Sequence, residues 1–228
     1  MCVNGTSKTL AGLAVFFLIV TLVLGQAWPA TAQDQEPIGR FVVDLRGSLV
    51  PFERNEEIAL TSGFAPSATP GLGIGLDTGA QVYLYRWRVI TIGLGARFHV
   101  SRADQGPTKP KPTETEQGVE HGPTLRKTFM SASPQLSLNF GGRDGWSYVS
   151  AGLGTSGLLL YALDDEEPAR RRSRTFNYGG GARWFVKEHL AFSLDLRFYA
   201  AQALQATDTN PRSPRLKTMV LSVGTSFK

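Results

Sequence analysis

Eight stretches of this chain alternate residue by residue, and one face of every stretch carries no charge. Phe41, Val43, Leu45, Gly47 and Leu49 share one side of the first stretch; Val42, Asp44, Arg46 and Ser48 share the other. The same two-residue period runs through 72–84, 90–100, 132–140, 149–161, 178–186, 190–198 and 219–227. Side chains repeat every second residue in a strand and about every 3.6 in a helix, so these stretches read as strands. Each approaches the ~9–11 residues that a tilted strand needs to cross a bilayer. Their number is even, as in antiparallel membrane barrels.

The connections alternate too. Those at 85–89, 141–147 and 187–189 are short, whereas 50–71, 101–129, 162–176 and 199–217 are long and rich in Pro, Thr, Ser and mixed charge. Short periplasmic turns and long outward loops are the rhythm of an outer-membrane barrel. A soluble barrel or sandwich turns its apolar face inward and its charges to water. Here the uncharged face is too continuous for that, and the other face mixes isolated charges with Gly, Ser, Thr, Gln and Asn. The chain therefore reads as all-β: one eight-stranded antiparallel up-and-down transmembrane β-barrel with a lipid-facing exterior.

The inward face then carries Asp44, Arg46, Asp77, Arg97, Arg183, Asp195 and Arg197, with Tyr83, Tyr85 and Tyr199 as bulk. An unpaired charge in a narrow, poorly hydrated interior is costly. These side chains are expected to form an Arg–Asp network that blocks a water path. Trp87, Trp146 and Trp184, with Phe41, Phe140, Phe192 and Phe227, fall beside the short turns, the level at which aromatic rings meet the membrane interface.

Residues 1–32 read as a cleaved signal peptide: Lys8 precedes an uncharged run over 9–24, Gly25 breaks it, and Ala30-Thr31-Ala32 gives a small-x-small cleavage pattern. The apolar run falls short of the ~20 residues that a helical span needs. Residues 33–228 then form the barrel domain, located in the outer membrane of a Gram-negative-type bacterium among membrane lipid and lipopolysaccharide. The chain has one Cys, Cys2, which lies in the leader, so neither a disulfide framework nor a Cys-based zinc site is expected. Three His, at 99, 121 and 189, leave little for a His-rich metal site. A net charge of +5 and a pI of 9.5 come without an ordered basic stripe and do not argue for nucleic acid. No cofactor is expected.

The run from Gly179 to Val186, a three-residue turn, and Leu190 to Phe198 resemble the penultimate hairpin of small bacterial outer-membrane barrels. The group is typified by the transmembrane domain of outer-membrane protein A. The end of the chain, Met219 to Phe227, is similar to the aromatic-ended last strand of that family. The resemblance implies that the barrel-insertion machinery is a partner and that Phe227 is the insertion signal; Lys228 after the aromatic departs from the pattern.

Three motifs invite chemistry. Gly152-Leu153-Gly154-Thr155-Ser156-Gly157 matches G-x-G-x-x-G, but an alternating strand continues through it where a dinucleotide site needs a helix. His99-Val100-Ser101 has the spacing of the base and nucleophile in outer-membrane lipid A deacylases, where the pair faces lipid; alternation turns this pair inward. The acidic run 164–167 lacks the spacing of a calcium loop and reads as a solvated loop beside the arginines at 170–172. The expected function is structural or surface-interacting through the long loops, not enzymatic. A small pore stands as the alternative, and a lipid A-modifying hydrolase behind it.

Overall fold

β1 (Phe41–Pro51), β2 (Leu72–Trp87), β3 (Ile90–Gln105), β4 (Leu125–Gly142), β5 (Gly145–Ala162), β6 (Ser173–Lys187), β7 (Leu190–Ala201) and β8 (Leu216–Phe227) follow one another around a closed antiparallel barrel. The computed structural model describes residues 37–106, 123–165, 171–206 and 212–228. The expected leader, the middle of the loop at 101–129 and parts of the acidic and last loops lie outside them. Each strand pairs with the next, and β1 meets β8 from Val43 opposite Phe227 to Leu49 opposite Leu221. Closure leaves no strand edge for lipid to strip of hydrogen bonds.

The alternation translates directly into two faces. Leu45, Leu76, Leu94, Leu136, Val149 and Val223 are exposed on the outer wall, while Asp44, Asp77, Arg97 and Asp195 are buried inside. An apolar exterior around a charged interior is the arrangement of a membrane-spanning barrel and the inverse of a soluble one. At the short-turn end Trp87 and Trp184 are exposed, and Trp184 stacks on Phe192 with ring centroids 5.9 Å apart.

Several strands run further than their apolar faces. β3 continues to Gln105 and β4 begins at Leu125, so both ends of the loop expected at 101–129 are strand. Its outward positions are Arg102, Asp104 and Arg126, charged residues that suit the water above the apolar band, while Ala103, Leu125 and Lys127 keep the inward alternation. The loop at 50–71 also holds a short helix, α1 (Glu56–Thr61). Its Asn55 side chain accepts a hydrogen bond from the Ile58 amide at 3.1 Å, and Glu56 and Glu57 complement the first turn.

Two aromatic assignments are corrected. A bulge between Tyr83 and Tyr85 inserts Leu84 without a partner on β3, so alternation skips a step. Tyr83 faces the lumen, but Tyr85 is 60% exposed on the outer wall. Trp146 lies at the interface level yet points inward, 3% exposed, since it shares its face with Tyr148 and Ser150.

Candidate functional site in the lumen and at its mouth

The inward charges of five strands meet in one connected cluster. Arg183 on β6 donates from Nε and Nη2 to the two oxygens of Asp44 on β1, at 2.9 and 2.6 Å. Arg46 stands 2.7 Å from Asp44, donates to Asp77 on β2 at 3.1 Å, and reaches Ser193 Oγ at 2.9 Å. Arg97 on β3 is 3.3 Å from Asp77 and grips Asp195 on β7. Arg197 donates to Gln135 Oε1 and Asn177 Oδ1, both at 2.9 Å, and lies 3.4 Å from Asp195. Asp44, Arg46, Asp77, Arg97, Arg183, Asp195 and Arg197 thus fall in a single network.

The neutral partners carry no mark in the sequence beyond their place on the inward face. Tyr148 links two parts of the cluster: its hydroxyl donates to Asp195 at 2.6 Å and accepts from Arg46 at 3.3 Å. It fits because β6 has a glycine opposite: a Cβ on Gly181 would stand 2.8 Å from the Tyr148 hydroxyl. Gly93 likewise leaves room for the Tyr83 ring, which its Cβ would meet at 3.0 Å.

Apolar plugs pack inside the barrel on both sides of this cluster. Toward the short turns, Ile38, Val42, Trp146 and Tyr148 pack with Tyr83 and Phe185. Toward the long loops, Val50, Phe52, Ala103, Phe129, Tyr199 and Val220 pack together. An eight-stranded barrel is just wide enough for side chains to fill.

His99 and Ser101 sit under the upper plug. Their Nε2 and Oγ atoms are 3.2 Å apart, and His99 packs against the rings of Phe129 and Tyr199. Asp77 lies directly across from His99 on β2, but its Oδ1 and His99 Nδ1 have no hydrogen-bond partner. The pair therefore faces a packed interior, away from lipid. The glycine motif at 152–157 lies wholly within β5, which runs on to Ala162. Among the described residues no group of His, Cys, Asp and Glu could hold a metal.

Above the upper plug the mouth is structured. Lys127 Nζ donates to the Glu53 carbonyl at 2.8 Å and stands 5.1 Å over the Phe52 ring, which ties the first long loop across the opening. Ile58 and Phe64 pack against Leu125, Leu160 and Ala162. Between α1 and β5 to β8 lies a cavity of about 410 Å³, with Phe129 and Tyr199 among its lining residues and Asp165, Arg171 and Arg212 among the polar ones. On the outer wall above the apolar band, Arg126 donates to both oxygens of Asp104 at 2.7 and 2.8 Å; these hydrogen bonds hold the Asp104 carboxyl below its ordinary range.

No protein-family model matches the chain, and no curated protein matches it. Solved structures do. Neisserial surface protein A shares 12% identity and a TM-score of 0.45 over 82% of this chain and 96% of its own. Ail, the attachment invasion locus protein of Yersinia pestis, shares 13% and 0.44 over 83% and 98%. The outer membrane protein OprG from Pseudomonas aeruginosa shares 12% and 0.45 over 85% and 97%. Likeness this remote carries no ligand, partner or activity across, and the barrel's own geometry has to speak for it.

Proposed function

We propose that the protein is an integral outer-membrane β-barrel of a Gram-negative-type bacterium with a structural or surface-interaction role, exercised through its long outward loops. The carrying observation is the packed interior: a charged network lies between two apolar plugs, which supports a closed lumen and a role carried by the loop-bearing end. The strand extensions and α1 at the loop-bearing end support this. In this reading lipid and lipopolysaccharide surround the wall, the insertion machinery engages the Phe227 end, and no catalysis takes place. His99 and Ser101 serve packing, because a lipid substrate has no route to them.

Recordings in planar bilayers test the reading. The unmutated barrel is expected to give no steady current. Stable, salt-dependent conductance overturns the closed lumen and promotes the pore. A mass change in lipid A on expression of the protein overturns the non-enzymatic part.

A further inference from the structure

Four buried arginines, Arg46, Arg97, Arg183 and Arg197, share the lumen network with three buried aspartates, Asp44, Asp77 and Asp195. The cluster has an excess of one positive charge inside a low-dielectric wall, where an uncompensated ion is costly. Arg183 commits Nε and Nη2 to Asp44, and the fork geometry of a guanidinium turns Nη1 away from that carboxylate. Nη1 is buried without a hydrogen-bond partner, and so are Trp146 Nε1 and the Tyr83 hydroxyl.

These three orphans are neighbours. Trp146 and Arg183 are directly paired across β5 and β6, with the guanidinium carbon 5.7 Å from the indole centroid. Tyr83 meets Trp146 edge to face, with centroids 5.8 Å apart. Lys228, whose Nζ donates to the Arg143 carbonyl, stands nearby, 6.0 Å from the Trp146 centroid. A guanidinium and an indole carry donors only, and the three groups hold more hydrogens than the one hydroxyl oxygen can accept. The group cannot satisfy itself. A water oxygen would accept two of these hydrogens and leave the charge as it is.

We propose that Arg183, Trp146 and Tyr83 form a buried binding site for a small monovalent inorganic anion of chloride size at the short-turn end of the lumen. The anion accepts from Nη1, Nε1 and the hydroxyl and neutralises the network. It is a structural ligand, independent of the role assigned to the loops.

Bromide is the probe. In crystals of the unmutated barrel grown in sodium bromide, an anomalous peak is expected within hydrogen-bonding reach of Trp146 Nε1 and Arg183 Nη1. Its absence there overturns the site. In parallel, thermal melts compare sodium chloride with sodium gluconate at equal ionic strength, gluconate being too large to enter. Chloride should raise the melting temperature of the unmutated protein. Tyr83→Phe and Trp146→Phe should bind it about tenfold more weakly, the loss of one hydrogen bond to a charged group. Equal stabilisation by both salts, or an unchanged chloride dependence in both variants, overturns the proposal. Should the variants fail to fold, the bromide peak decides alone.

Discussion

Arg97 on β3 holds Asp195 on β7 with both terminal nitrogens, at 2.6 and 3.0 Å, joining positions 98 residues apart. The two strands are not neighbours in the sheet, so the pair spans the lumen itself. Asp195 also accepts from Tyr148, and its loss strands several donors at once. Asp195→Ala should cost ~3–5 kcal/mol in denaturant unfolding from lipid vesicles, the range for breaking a buried ion pair from one side. Adding Arg97→Met should restore part of that loss, so that the double variant is more stable than the sum of the singles implies.

The outer wall gives a separate test of register. Leu94 is exposed on the wall of β3, and its neighbour Gly95 faces inward against Gln81. Leu94→Arg should destabilise the barrel in lipid by ~2–4 kcal/mol, as for a cation near the midplane. Lipid-borne quenchers should reach a probe at 94 and miss one at 95. Equal quenching would mean that the alternation is misassigned by one residue.

The closed lumen proposed above rests on two plugs in series, and on that reading neither alone decides conduction. Phe129→Ala should cost ~3–5 kcal/mol of stability, the range for emptying an aromatic core position. The bilayer should stay silent, because the Trp146 plug remains. Combining Phe129→Ala with Trp146→Ala should raise leak events in bilayer recordings; a current from Phe129→Ala alone would show that the lower plug does not seal.

The Asp104–Arg126 pair predicts a pH signature. The carboxyl ionises more readily folded than unfolded, so its contribution is present above the unfolded value near 3.8 and lost as pH falls through the lower folded value. The pair is partly exposed and should contribute under ~1 kcal/mol. Asp104→Asn should lower the melting temperature slightly at neutral pH, and the difference should vanish in strong acid. A gap that persists there would point to something other than the ion pair.

The architecture was legible because a period of two is hard to imitate: 41–49 and 219–227 place every apolar side chain but Val42 and Val220 on one face, and the structure pairs them as β1 and β8. The sequence could also assign Asp44 and Arg183 to the same interior. Their pairing across 139 positions depends on how the closed wall brings β6 opposite β1, which alternation does not encode. Tyr85 was misplaced because one unpaired residue, Leu84, reverses all that follows it on that strand. The extension of β3 and β4 went unread because the outward face turns charged at Arg102 and Arg126, a change of solvent and not of backbone. α1 starts at Asn55-Glu56-Glu57, a cap followed by acids, but its six residues are too few to show a helical period.

The closure between β1 and β8 has a consequence for how the molecule comes into being. Asp44 on the first strand takes Arg183 from β6 and accepts from Ser226 on the last strand. Before β8 docks, a partial sheet would present these arginines sideways to hydrocarbon along with an unzipped backbone edge, each several kcal/mol uphill. No stepwise staircase of ever-larger stable sheets in lipid is open to such a chain. Its strands must be sheltered until the final one latches, so entry into the bilayer and completion of the wall are a single event.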